Sequence, residues 1–170
     1  DGQVALVSGA NRGLGAAIAA DLAGLGATVY AGRRDPSRAV PVGTRAVRLD
    51  VTDEEEIETA VSWVVDEAGR LDVLVNNAGV YDDAGPLHRA PTAALDRVMT
   101  TNLRGATLLT KHALPNLLPR NGARVVHLSS GMGALGEPQS GGAPAYRLSK
   151  TGLNGLTAYL HGEYGDGGLL

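Results

Sequence analysis

The 170-residue sequence contains no cysteine, which excludes disulfides and thiolate-ligated metals and fits a reducing compartment. Phenylalanine is also absent, and tryptophan occurs once, so the core must rest on Val, Leu and Ala. Neither sign of charge dominates: 15 basic against 18 acidic residues give a net charge of −3. Neither a nucleic-acid partner nor a membrane partner is expected from that balance. No stretch approaches the roughly 18 apolar residues of a membrane span. The N-terminus also lacks a basic segment followed by an apolar run, so a cytoplasmic protein without a signal peptide is expected. The four histidines (His88, His112, His127, His161) are scattered without ligand spacing, and no metal site is expected.

Glycine, by contrast, is abundant at 24 residues, and its placement organises the chain. Val4 to Val7 form an apolar run suited to a buried parallel strand. Gly9, Gly13 and Gly15 follow, and a helical pattern begins at once. In such a strand, turn and helix, the glycines let the backbone approach a phosphate, while the free N–H groups of the first helical turn face the anion. The spacing G-x-x-x-G-x-G is one residue off the usual dinucleotide fingerprint.

The remaining chain alternates strands and helices. The first helix, about Arg12 to Leu25, is expected to bury Leu14, Ile18, Leu22 and Leu25. Strands are expected at Thr28–Ala31, Arg45–Leu49, Asp72–Val75 and Arg124–Leu128. The stretch from Asp35 to Gly43 carries two prolines and is too short for a full crossover helix, so only a turn or a single helical turn is expected there. Thr52 with Glu55 reads as a capping box opening a helix to about Ala68. Its acidic run, Asp53 to Glu56, suits capping better than metal binding, and Trp63 on that helix reads as core. Thr92 reads as the cap of a long helix ended or bent by Pro115, and a last helix runs from about Ala145 to Tyr164. The alternation predicts an α/β fold, a Rossmann-type doubly wound parallel sheet in the order 3-2-1-4-5. Residues 1–170 read as a single domain, with Leu169 and Leu170 opening a further apolar run.

Tyr146 and Lys150, four apart on the last helix, share one face. A lysine cation roughly 5 Å from a phenol contributes ~3 kcal/mol at an effective dielectric of about 20, a little over two pKa units. That shift would bring a phenol close to neutrality, where proton transfer is most effective. Ser129 and Ser130 sit where the fifth strand ends, the edge at which open parallel sheets bind ligands. A hydroxyl there can donate to a carbonyl oxygen, or it can simply satisfy its own backbone. Met132 and Leu135 follow in a glycine-rich loop, as pocket-lining candidates or plain loop residues.

Together with Asn76-Asn77-Ala78-Gly79, Asp50-Val51 and Thr101-Asn102-Leu103, these motifs resemble the short-chain dehydrogenase/reductase family over essentially the whole chain. Tyr146-Arg147-Leu148-Ser149-Lys150 and the basic glycine turn look most like its NADPH-dependent carbonyl reductase branch. The resemblance implies Tyr146 as the catalytic acid/base, Ser130 as the group that polarises the carbonyl, with Ser129 as fallback, and Lys150 as partner of both the phenol and the nicotinamide ribose. It implies that Asn102 holds a water in a proton relay. Gly9, Asn11, Arg12, Gly13, Leu14 and Gly15 would cradle the cofactor, Asp50 and Val51 would border the adenine, and Asn77, Ala78 and Gly79 would line its adenosine side. A C-terminal segment completing the substrate pocket is then missing. A homodimer or homotetramer through the helices 92–114 and 145–164 is implied too.

The choice of cofactor has a physical basis. A ribose diol calls for a carboxylate near the end of the second strand, whereas a 2′-phosphate calls for guanidinium groups. Arg33 and Arg34 stand at that strand end and Arg12 in the glycine turn, while Asp35 lies beyond both arginines. NADP(H) is therefore expected over NAD(H), with a small-molecule carbonyl or alcohol as substrate. Two other readings remain: a dinucleotide-binding fragment or regulatory homologue without turnover, and a nucleotide-sugar epimerase or dehydratase, which also uses Tyr-x-x-x-Lys.

Overall fold

The computed structural model describes residues 2–136 and 140–170. Five strands, β1 (Val4–Val7), β2 (Thr28–Arg33), β3 (Arg45–Arg48), β4 (Val73–Asn76) and β5 (Arg124–His127), form one sheet. They pair in parallel in the order β3-β2-β1-β4-β5. The helices are α1 (Gly13–Gly24), α2 (Glu54–Ala68), α3 (Thr92–Met99), α4 (Ala106–Leu117) and α5 (Pro144–Tyr164). Alternation within β1 sets the two layers. Val4 and Leu6 face a cluster shared with Ile57 and Val64 of α2 and Leu109 and Leu117 of α4. Ala5 and Val7 face the thinner layer under α1.

α1 departs from the leucine pattern. It buries Gly15 and Ala19, while Leu14 is 59% and Leu25 73% exposed. The helix lies so close to the glycine turn that only small side chains fit beneath it. Ile18 and Leu22 seal its flank, packed on the smaller cluster.

α2 is capped one residue later than the capping box implied. Asp53, not Thr52, accepts the Glu55 and Glu56 N–H groups at 3.0 and 3.2 Å. Glu56 rather than Glu55 reaches back, its Oε2 accepting the Asp50 N–H at 3.0 Å. The helix stops at Gly69 in a left-handed conformation. Trp63 is 43% exposed, its ring edge-on to buried Tyr30 at 5.5 Å, so it roofs the core rather than filling it.

The long helix is not continuous. Pro91 precedes it and Thr92 makes no side-chain cap. A turn of π-helix over Thr100–Gly105 separates α3 from α4. Pro115 lies inside α4, whose end is Leu117. A proline there removes only the N–H that would bond back to Lys111, on the exposed side of the last turns.

Candidate active site

β1 and β4 are neighbours whose chains continue to opposite sides of the sheet, so their carboxyl ends open a crevice. The two ends are laced together by Ser8. Its Oγ accepts the N–H groups of Asn77 and Ala78, both at 3.0 Å, and donates to the Val75 carbonyl at 3.3 Å. Asn77 Nδ2 in turn donates to the Ser8 and Gly9 carbonyls at 2.9 and 3.2 Å. The sequence reading gave Ser8 no role, because a lone serine between strand and glycine turn carries no pattern.

The crevice is a cleft of about 660 Å³ lined by Asn11, Arg12, Gly13 and Leu14 on the α1 side and by Asn77, Ala78 and Gly79 on the β4 side. That volume lies within the roughly 300–1,000 Å³ of small-molecule and cofactor sites. Gly13 has φ +57° and a β-carbon added there would meet nothing within 4 Å, so its bare backbone faces open space. The N-terminal N–H groups of α1 lie beside it. An anion fits this cradle, and Asp50 and Val51 close the far wall.

The basic end of the cleft differs from expectation in one residue. Arg34 lines it, but Arg33 does not: its guanidinium turns to the Arg38 carbonyl, and Arg38 itself lines the cleft. Arg38 sits in the irregular stretch 34–44, where no periodicity assigns a direction to side chains. Asp35 also borders the cleft, but its Oδ1 accepts the Ser37 N–H and hydroxyl at 2.9 and 2.7 Å, and its Oδ2 lies 3.5 Å from Arg38. Those bonds, the Ser37 hydroxyl first, hold its carboxyl below the usual carboxylate range.

Beyond Val80 the second half of the site begins. Lys150 is buried in α5 and its Nζ lies 5.5 Å from the centroid of the Tyr146 ring. The same Nζ donates to the Leu128 carbonyl at the end of β5. Burial lowers the lysine pKa. Tyr146 is half-buried, with the Tyr81 ring edge-on at 5.0 Å.

The two serines separate clearly. Ser129 Oγ is engaged with α5, at 2.7 Å from Asn154 Oδ1 and 3.3 Å from the Lys150 carbonyl. Ser130 Oγ accepts the Met132 N–H at 3.1 Å, which leaves its own O–H to donate elsewhere. Among the described residues no hydrogen bond joins it to Tyr146 or Lys150. Its loop is seated on α5, where a β-carbon on Gly133 would come within 2.6 Å of the Lys150 backbone. Met132 and Leu135 do not line the main cleft, and Leu135 is exposed.

Asn102 is buried within the π turn. Its side chain is committed to protein: Oδ1 accepts the Val80 N–H at 2.7 Å, and Nδ2 donates to the Val80 carbonyl at 2.8 Å and to Ser149 Oγ at 3.2 Å. It pins the chain leaving β4 to the helix that carries Tyr146.

Among the described residues no group of three or more His, Cys, Asp or Glu could hold a metal ion, and no helix is long and apolar enough to cross a membrane. The sheet order and the glycine cradle at its switch point define a Rossmann-type fold, here with a tyrosine–lysine pair on the same edge. Comparison with known proteins narrows this class. Residues 3–169 match the short chain dehydrogenase family, and the chain belongs to the short-chain dehydrogenase/reductase family of oxidoreductases. It is 38% identical over 175 residues to a cis-4-hydroxycyclohexanecarboxylate dehydrogenase of Sinomonas cyclohexanicum, covering 98% of this chain and 69% of that protein. It is 37% identical to a 3-oxoacyl-(acyl-carrier-protein) reductase of Staphylococcus aureus, covering 97% and 70%. A dehydrogenase/reductase structure from Sinorhizobium meliloti superposes with a TM-score of 0.88 at 32% identity, over 99% of this chain and 69% of that one. A metagenomic short-chain oxidoreductase solved with NADP gives 0.88 and 32%, over 99% and 78%.

Proposed function

We propose that the protein is an NADP(H)-dependent oxidoreductase interconverting a small carbonyl compound and its alcohol, with residues 1–170 acting as one binding and catalytic unit. The observation that carries this reading is the Lys150 ammonium 5.5 Å from the Tyr146 ring at the same sheet edge as the glycine cradle.

When bound, the nicotinamide supplies or accepts the hydride. Tyr146 delivers a proton to the carbonyl oxygen in reduction and removes it in oxidation. The Lys150 cation stabilises the negative charge that the phenol oxygen acquires as its proton leaves. Ser130 donates its free O–H to the same substrate oxygen and stabilises the charge that builds there. Asn102 acts by fixing Val80 and Ser149, and so the separation between cleft and α5. Ser129, whose hydroxyl is taken up by α5, has no place in the chemistry.

Arg34 and Arg38 at the rim favour a 2′-phosphate, with Arg12 in the glycine turn also lining the cleft. Asp35, the acidic candidate for a ribose diol, is bound to Ser37 instead. The NADP found in the metagenomic relative supports the same cofactor.

The test is direct. The protein is mixed with NADPH and a panel of ketones and aldehydes, loss of NADPH absorbance is followed, and the assay is repeated with Tyr146→Phe. Turnover that vanishes in the variant supports the reading. Tight NADPH binding without turnover would instead identify a binding protein.

A further inference from the structure

α5 starts without the usual means of capping its own N-terminus. Its first residue is Pro144, its first turn holds no acidic side chain, and the residue before it, Ala143, has no polar group to cap with. Ala143 nevertheless adopts φ +46°, ψ +53°, and it is the only non-glycine residue with positive φ among the described residues. An L-residue with a β-carbon resists that conformation, and a residue preceding proline is steered toward extended backbone instead. Some outside contact must hold it there.

Arg147 of α5 holds the turn from one side, its Nε donating to the Gly142 carbonyl at 3.0 Å and its Nη2 to Ser140 Oγ at 2.9 Å; the contact from outside the helix is Asp83. Its Oδ1 accepts the Ala143 N–H at 3.1 Å, and a β-carbon on Gly142, itself at φ +87°, would stand 3.3 Å from the same oxygen. Sixty residues separate the two partners in sequence, so the bond joins two walls of the site. Asp83 belongs to the segment that leaves the cleft: Val80 is pinned by Asn102, Asp82 pairs with Arg97, and between them Tyr81 lays its ring on Tyr146. Tyr146 lies in the first turn of α5, where its position depends on how the chain turns into the helix.

We infer that Asp83 is a capping group supplied to α5 from outside the helix, accepting the N–H of the N-cap residue Ala143 as the N3 carboxylate of a capping box does, a positioning residue that sets the Tyr146 phenol against Lys150 and locks the 80–83 wall to it. A carboxylate beside the positive end of a helix dipole is favourable in its own right. The role rests on the reading of Tyr146 given above, but the bond can be tested apart from it.

The experiment compares Asp83→Ala and Asp83→Asn with the wild-type protein. The asparagine keeps a carbonyl oxygen for the Ala143 N–H. We expect Asp83→Ala to lower kcat at least tenfold with NADPH affinity, read by fluorescence titration, within twofold of wild type. Asp83→Asn should recover most of the loss. Amide hydrogen exchange over residues 141–148 should speed up at least tenfold in Asp83→Ala and stay near wild type in Asp83→Asn. Unchanged exchange in Asp83→Ala overturns the capping role whether or not the protein turns over substrate. Faster exchange with unchanged kcat in an active enzyme overturns the positioning role. Absence of turnover in the wild type bears on the catalytic reading alone.

Discussion

Gly15 and Asn77 meet so closely that a β-carbon on Gly15 would stand 2.2 Å from Asn77 Nδ2 and 2.5 Å from the Gly9 carbonyl. Asn77 is the residue that ties β4 to the glycine turn, so the turn and its tie occupy one space. Gly15→Ala cannot be absorbed by a side-chain rotation, because one of the clashing atoms is backbone. We expect a loss of about 1–3 kcal/mol in stability, the usual cost of overpacking, together with loss of measurable NADPH binding. Thermal melts with fluorescence titration check both.

The arginines at the cleft rim give a second expectation. Each charge-assisted hydrogen bond contributes about 1.5–3 kcal/mol, or roughly ten- to a hundredfold in affinity. Arg34→Ala and Arg38→Ala should each raise the KM for NADPH by about that factor and leave the KM for NADH within threefold. Arg33→Ala, whose side chain turns away from the cleft, should act only through Arg38 and more weakly. Equal effects on both cofactors would count against a 2′-phosphate site.

Tyr146→Phe keeps the ring that packs against Tyr81 and removes only the proton donor. General acid–base catalysis contributes about 10²–10⁴-fold, so kcat should fall by that amount with NADPH affinity unchanged. Lys150→Met removes the cation but retains the aliphatic stem, and it should lower kcat and weaken cofactor binding together. Steady-state kinetics with equilibrium titration separates the two outcomes.

His127 gives a stability expectation with a definite sign. Burial, and then the nearby Lys150 charge, push its pKa from 6.5 to about 4. Its ring nitrogens face neutral hydroxyls, Thr157 at 2.9 Å and Thr110 at 3.5 Å. Below pH 6.5 the unfolded chain takes up a proton that the folded chain refuses until about pH 4. Stability is therefore complete above pH 6.5 and falls as pH drops through that window, by at most about 1.4 kcal/mol per unit. Urea unfolding between pH 7 and pH 5 should show this slope in the wild type and a shallower one in His127→Gln.

The sheet order was legible because five apolar runs alternate with helical periods and a few turn residues separate them. Tyr146 and Lys150 were legible because helix geometry alone places residues four apart together. The misreadings share a cause: they depend on distances between elements, which a linear pattern does not carry. Leu14 has the right period for burial, yet α1 sits too near the glycine turn to admit it, and Leu25 falls on the C-cap residue beyond the last helical turn. Thr52 and Asp53 are both good caps, and only the path of the chain after β3 selects the aspartate. Arg38 reaches the cleft from an irregular loop, and Asp83 reaches α5 across the site. Ser129 and Ser130 are identical in sequence terms and are told apart by what α5 offers each of them.

The π turn at Thr100–Gly105 has one consequence for how the chain can change length. Such a turn holds one residue more than an α-helical turn, and each residue advances a helix by about 100°. Removing a single residue there would leave a regular rod from 92 to 117 but spin its first half by that angle. Val98, now wholly buried, would swing out, and Asn102 would let go of Val80. The spare residue works as a phase shifter, letting one rod grip α5 at one end and α2 at the other.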